Sequence, residues 1–386
     1  MSDASGRRIL VSGASVAGLT VAYWLNRLGF QVTVVEVSAG LRPGGQALDV
    51  RGPALRVAEG MGILDEIRER STRLRGMSVV DRTGEEIFQT TERTLTGGRF
   101  DAPDVEILRD DLVGVLHAAA GEHVRYVFGD RITALRQDEL GVEVTFESAA
   151  PARFDFVVGA DGMHSGVRRL AFGPEQQFLR YLGGYVAVMT IPNFTGLDRW
   201  QTFHIDENVG AGIIGLGRDE EARAYLGFQS DEPIEYDFRD ASSQKQLLTD
   251  RVKGMGWVVP QIVELMRDAS SFHFDSRSQV VMERWTHGRV TLVGDAGYAV
   301  SLTTGQGTSI AMTCAYVLAG ELASAANDLA AGAIRYEQEV RDYVLRSQAA
   351  ARKLNDEETE EGPGGFTDFG ELVEDLALKD YLAVTG

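Results

Sequence analysis

The chain has 386 residues, 44% of them hydrophobic and 25% charged, the composition of a globular protein large enough for two domains or one domain with an insertion. A formal net charge of -19 argues against nucleic acid or anionic membrane as a partner. The single cysteine, Cys314, excludes an intramolecular disulfide, no Cys/His cluster has metal-ligand spacing, and the expected compartment is a reducing cytoplasm.

From Arg7 the chain reads strand, glycine turn, helix, strand. The apolar run Ile9, Leu10, Val11 breaks straight into Ser12 and Gly13, as a buried strand does and a signal-peptide core or membrane span does not. Between Ala14 and Leu28, Val16, Leu19, Val21, Ala22, Leu25 and Leu28 recur at helical spacing, and Gly29 closes the helix. Gln31 to Val35 is a β-branched strand that ends at Glu36, so this is a βαβ unit with a carboxylate at the sheet's carboxyl edge. Residues 37–52 read as one long loop rich in glycine and arginine, followed by a helix over 53–70 and another over 109–120. Strands are expected at 142–146 and 154–158. Between about 175 and 279, strand-like runs at 185–191, 201–205, 212–216 and 224–229 point to an antiparallel sheet inserted into the α/β unit. A buried strand at 290–293, a turn, and long helices over 306–325 and 333–353 follow. The acidic run 355–365 reads as a flexible linker to a short C-terminal amphipathic helix.

Three segments carry chemistry. Gly13-Ala14-Ser15-Val16-Ala17-Gly18 has the spacing of a dinucleotide fingerprint with Ser15 at the second glycine position. There the chain turns tightly, approaches a pyrophosphate, and packs its helix against the sheet. Glu36, about 20 residues on, can accept hydrogen bonds from adenosine ribose hydroxyls. On this segment alone the ligand is NAD or FAD. The second segment, Asp155 to Ser165 with Arg168, sets Asp161 and Gly162 directly after a buried strand. The third, Gly288 to Gly297, carries Gly294-Asp295 and precedes Gly305-Gln306-Gly307 at the start of a helix. An aspartate at a strand end can hold a ribityl hydroxyl, and a helix start can turn its N–H groups toward the electron-rich edge of a flavin. Together they favour FAD.

These segments, in this order from Ile9 to about Leu322, resemble the para-hydroxybenzoate hydroxylase family of single-component (class A) flavoprotein monooxygenases. Gly44 to Gly52 and Ile107 to Leu112 are similar to the branch of tetracycline-inactivating monooxygenases and actinobacterial tailoring enzymes. The resemblance implies a Rossmann-like, GR2-type FAD-binding domain (1–72, 100–175 and 280–330), an inserted antiparallel-sheet substrate domain (73–99 and 176–279) and C-terminal helices (331–386). It implies FAD contacts at Gly13, Ser15, Ala17, Gly18, Glu36, Arg109, Asp161, Asp295, Gly305 and Gly307, with Arg109 at the diphosphate or ribityl region. The chain departs from the family pattern at Tyr298 and Ser301 to Thr304, where a histidine-like residue and a proline are usual, at Ser309 in place of asparagine, and at Cys314 in place of aspartate.

The activity so implied is NAD(P)H-dependent reduction of FAD, formation of a flavin hydroperoxide with O2, and hydroxylation of an aromatic or polyketide-like small molecule. Because only one dinucleotide fingerprint is present, NADPH or NADH would use a transient groove, for which Arg42 and Arg51 are candidates; Arg109, Arg168 and Arg169 are further cations near the motifs. No catalytic side chain announces itself. His204, His273 and Tyr185 are candidate bases, and Phe203, Met189, Trp200 and Phe228 fit a pocket wall or an ordinary core equally well. The alternatives on the same fold are an FAD-dependent oxidase, reductase or epoxidase, and a non-redox FAD-containing protein that binds or cyclises a polyketide. The tryptophan-rich signature of flavin halogenases is absent, Gly256 to Pro260 being a partial echo.

Overall fold

The computed structural model describes residues 6–92, 94, 103–217, 220–301, 305–325, 327–361 and 376–385. Its first sheet has six strands in the order Thr286–His287, Val290–Leu292, Phe156–Gly159, Arg8–Ser12, Gln31–Glu36, Arg125–Phe128. All neighbours are parallel except the first pair. Its strands are short and apolar because both faces are covered. On one side lie the helices Val16–Arg27 and Gly307–Ser324, and the latter is buried from Thr308 to Ala323. So long a buried helix fits because it is made largely of Gly, Ala, Ser, Thr and Cys. At Gly320 an added Cβ would lie 2.2 Å from the Tyr381 ring.

A second sheet runs Ser271–Val280, Leu179–Pro192, Glu221–Gln229, Val209–Gly215, Trp200–Asp206, Gly76–Val80, Glu86–Thr90. The middle region is therefore not purely antiparallel: Trp200–Asp206 pairs in parallel with Gly76–Val80, a strand delivered from far upstream. Strand alternation divides its faces. Tyr185, Ala187, Met189, Leu226 and Phe228 pack under the helices Ala241–Arg251 and Val259–Met266. The opposite face carries the cross-strand row Phe203, Gly212, Tyr225, Val188, His273, and from it the Tyr225 hydroxyl accepts from Ala47 N.

Four local expectations are corrected. Within 37–52, Ala47–Val50 forms a strand with Val105–Leu108, because the alternation Ala-Leu-Asp-Val finds an edge to pair with. The helix expected over 53–70 is two, Pro53–Gly60 and Leu64–Glu69, divided at Gly62 with φ +74°. The helix expected over 333–353 spans Leu329–Glu361. The linker expected from 355 is thus helical as far as Glu361, since glutamates favour helix and the first breakers stand at Gly362 and Pro363. Residues 362–365 lie outside the described residues, and the C-terminal helix is a single turn, Tyr381–Thr385. Among the described residues no helix is long and apolar enough to cross a membrane.

Candidate active site

Three turns, distant in sequence, meet at the carboxyl edge of the six-stranded sheet. Gly13, at φ +107°, donates its N–H to Val35 O at 2.8 Å, and a Cβ there would sit 2.3 Å from Ala160 O. Gly18 brings the helix start down on that turn: its added Cβ would lie 2.0 Å from Gly13 O. Ala17 meets the third motif, its Cβ 2.9 Å from where one would stand on Gly294. Ser15 is the N-cap of Val16–Arg27, yet its side chain makes no capping bond. Its hydroxyl and the first-turn N–H groups are therefore placed as an anion site needs them. Glu36 accepts from Ala14 N at 2.8 Å and Ser38 N at 2.9 Å, which fixes the carboxylate at the strand end.

Arg109 opens the helix Arg109–Ala120 and folds back over the 42–45 loop, donating Nη2 to Arg42 O at 2.8 Å and Gly44 O at 2.9 Å. The same helix start holds the loop through Gly44 N, which donates to Asp110 at 3.0 Å, and the second sheet fastens it as well: Arg223 Nε donates to Gly45 O at 3.2 Å, and Ala47 N to the Tyr225 hydroxyl at 3.2 Å. Asp161 turns inward, where it accepts from the Ser165 hydroxyl and from Val167 N at 3.0 Å. It holds the start of the helix Gly166–Ala171, and burial pushes its carboxyl up.

Asp295 stands differently. Its side chain is solvent-accessible, and no described residue hydrogen-bonds its carboxylate. Enclosure by protein and then the charge of Asp275 raise it to about 6, against the opposing Arg168. An accessible, unpartnered acid inside a crowded cleft suits a hydroxyl-rich chain such as the ribityl of FAD. Gly305, at φ +63°, stands just before Gly307, the first residue of Gly307–Ser324, and the start of that helix packs on the third motif: a Cβ on Gly294 would lie 3.7 Å from that of Ala311. Residues 302–304 lie outside the described residues. The departures from the family pattern have structural partners: Ser309 Oγ donates to Asp49 O and accepts from Arg51 N, both at 2.9 Å, and Cys314 is buried beside Tyr298.

Several expected roles are redistributed. Arg51 is buried, paired with Asp49 at 2.9 Å and Asp104 at 3.6 Å, so it cannot reach a transient nicotinamide; Arg42 remains exposed. Arg168 is also buried and donates to Ala296 O at 2.9 Å and Glu175 at 2.8 Å, tying the second motif to the third. Tyr185 lies in an aromatic cluster with Phe228, Phe274 and Tyr236 on the helix-covered face. His204 is buried with Nδ1 against Val80 O at 3.0 Å. Neither faces the cleft. Met189 and Phe228 are core, Trp200 donates to Ser78 Oγ at 3.0 Å, and Phe203 packs on Met77 and Val79.

His273 does face the cleft. It is solvent-accessible, and no described residue hydrogen-bonds its ring. Partial desolvation by the protein crowded around the ring comes first, and the cations Arg42, Arg109 and His164 add to it, lowering its pKa against the pull of Asp275. Sequence reading missed the network behind it. Asp275 accepts from Tyr236 at 3.0 Å and Ser276 N at 2.7 Å and meets His164 Nε2 at 3.3 Å; His164 Nδ1 meets Glu175 at 2.9 Å, and its ring stacks on Phe238. His164 lies within the second motif, but no spacing signal links it to a carboxylate 111 residues away.

The FAD binding domain family matches residues 7–349. The chain is 48% identical over 379 residues to the uncharacterised protein Rv1260 of Mycobacterium tuberculosis (strain ATCC 25618 / H37Rv), covering 97% of this chain and 100% of that protein. It is 40% identical over 346 residues to a flavin-dependent monooxygenase of Legionella longbeachae serogroup 1 (strain NSW150), covering 88% and 87%. The crystal structure of the tetracycline destructase Tet(51) superposes with a TM-score of 0.84 at 34% identity, covering 91% of this chain and 90% of that one.

Proposed function

The chain belongs to the FAD binding domain family and is a flavin-dependent monooxygenase, and from that premise we propose that it consumes NADPH or NADH and O2 to hydroxylate an aromatic or polyketide-like molecule. The observation that carries this reading is the convergence of three glycine turns beside Asp295, with Asp275 of the second sheet near enough for its charge to act on that carboxylate. FAD bound there supplies electron transfer from the nicotinamide to O2 and delivery of one oxygen atom.

In this reading Gly13, Ser15, Ala17, Gly18 and Glu36 hold the adenosine diphosphate half. Arg109 takes the diphosphate or ribityl region, and Asp295 the ribityl hydroxyls. Asp161 keeps its turn in shape, while Gly305 and Gly307 present helix N–H groups to the flavin. Residues 1–72, 100–175 and 280–330 form the FAD-binding domain, 73–99 and 176–279 the substrate domain, and 331–386 the C-terminal helices. Exposed Arg42 is the cation left to receive the transient nicotinamide. The enzyme works in the cytoplasm, where NAD(P)H is at hand. Tetracycline heads the substrate panel because Tet(51) is a tetracycline destructase.

The test is the visible spectrum of the purified protein, then anaerobic NADPH and NADH titration with tetracycline and a panel of phenols and aromatic polyketides. A compound that accelerates flavin bleaching and gains one oxygen atom in air establishes donor and substrate class together. NAD(P)H consumption without oxygen in any product points instead to an oxidase or reductase. A protein unable to take up FAD overturns the reading.

A further inference from the structure

We propose that Gln279 and Gln348 position residues 299–301, which lead from Asp295 to the helix start at Gly307, and that through them they set the field this helix start applies to bound FAD. This rests on the placement of FAD given above and adds the device that keeps its last two contacts in register.

The chain here has little stiffness of its own. Residues 295–307 include Gly297, Gly305 and Gly307 and no proline. Yet the backbone takes demanding shapes. Ala299 leaves the short helix Asp295–Tyr298 at φ −47°, ψ 130°, and Ser301 stands at φ +95°, a value that any residue with a side chain disfavours. Such a conformation persists only where its neighbours over-determine it.

The neighbours are a pair of buried amides. Gln348, on the helix Leu329–Glu361, donates Nε2 to Ala299 O at 3.1 Å and to Val280 O at 2.8 Å. Gln279, near the end of the strand Ser271–Val280, donates Nε2 to Val300 O at 3.0 Å and to the backbone Gln348 O at 2.9 Å. Its Oε1 accepts from Arg352 Nη1 at 3.0 Å, which fixes the way that amide points. Val280 N adds a bond to Ala299 O at 3.2 Å, and the Tyr298 and Tyr336 hydroxyls meet at 2.7 Å. Each glutamine thus joins a carbonyl of residues 299–300 to a carbonyl of the strand or helix beside it. Ala299, Val300, Val280 and both glutamines are buried, so removing an amide leaves carbonyls that water cannot readily satisfy.

The grip reaches the site by direct packing. Val300 Cγ2 lies 4.0 Å from where a Cβ would stand on Gly307, so the pinned Val300 is part of the surface on which the helix Gly307–Ser324 begins. The first-turn N–H groups of that helix carry the positive end of its dipole, and they favour the negative charge that a flavin gains on reduction. Letting the helix start drift makes bound FAD harder to reduce while every residue assigned to the cofactor is still present.

The test is the two-electron midpoint potential of FAD bound to full-length Gln348→Met and Gln279→Met proteins, measured by equilibration with a redox dye, without turnover. Methionine keeps the length of glutamine and removes its donors. Each variant is expected to keep a wild-type FAD content and to shift the reduction equilibrium about tenfold toward oxidised FAD, about 30 mV lower for a two-electron couple. Arg352→Gln, at a half-buried position, should shift it the same way by less, and it decides the matter if the methionine proteins do not fold. Thr286→Val is the structural control. It removes a buried hydroxyl that meets Thr291 Oγ1 at 3.0 Å and Ala333 O of the same long helix at 3.4 Å, and it should leave the potential unchanged. Wild-type potentials in the glutamine and Arg352 variants overturn the proposal, and so does an equal shift in Thr286→Val. Asp295→Asn separates the clamp from the site it serves. If that variant loses FAD affinity while the glutamine variants keep the wild-type potential, the clamp fails and the FAD placement stands. If it binds FAD as wild type does while the glutamine variants shift the potential, the ribityl placement fails and the clamp stands.

Discussion

His164 is a measurable electrostatic fastening between the second motif and the second sheet. Burial pushes its pKa down, but hydrogen bonds to Asp275 and Glu175 outweigh that and raise it from 6.5 to about 9. Its side chain is 22% exposed, so the pair is only modestly screened. Each pH unit between the folded and unfolded titrations is worth about 1.4 kcal/mol, so the charged form favours the folded state by about 3 kcal/mol at most. Because the folded value is the higher one, that stability is fully present below the ordinary imidazole value of 6.5. It is lost as pH rises through about 9. Thermal unfolding of wild type and His164→Gln at a series of pH values reads it directly. The difference between them should be largest near pH 6, equivalent to about 3 °C for a chain of this size, and should nearly vanish above pH 9. Parallel pH profiles for the two proteins, or a wild type that gains stability relative to the variant between pH 7 and 9, would refute the reasoning.

Gly13→Ala puts a Cβ 2.3 Å from Ala160 O at φ +107°; with backbone strain alone costing about 1–3 kcal/mol, the purified variant should lose most of its flavin, read as the ratio of visible to protein absorbance. Asp295→Asn should weaken FAD binding about 10- to 100-fold. In wild type, FAD affinity should fall below about pH 6, where the Asp295 carboxyl takes up its proton, and a pH-independent affinity down to pH 5 would contradict this. Glu106 lies directly across from Asp49 in the Ala47–Val50/Val105–Leu108 pair, and burial and then the Asp49 charge raise it to about 8. An acid raised in the folded state opposes folding increasingly as pH climbs from 4.5 to about 8. Glu106→Gln should therefore be more stable than wild type above neutral pH, by denaturant titration, with no gain near pH 4.

The sequence by itself determined the local devices. Strand, glycine turn and helix at Gly13 to Gly18, Glu36 at the next strand end, and Asp295 after a buried strand were all legible, because each depends on backbone geometry within a few residues. Element type followed from periodicity where a segment was long and regular, as in Gly307–Ser324. Its failures were at boundaries: a strand hidden in the 37–52 loop, and a helix that ran to Glu361 past an acidic stretch. What only the tertiary structure decided is which face of each element meets what. Tyr185 and His273 sit on neighbouring strands with the same alternation, and the helices Ala241–Arg251 and Val259–Met266 bury one while leaving the other in the cleft. Arg51, equally exposed to speculation with Arg42 in the sequence, becomes a buried ion pair because Asp49 and Asp104 close on it. The Asp275–His164 contact joins residues 111 positions apart. Such pairings are set by how two sheets dock, and docking depends on the summed fit of many side chains rather than on any short pattern that carries its own signal.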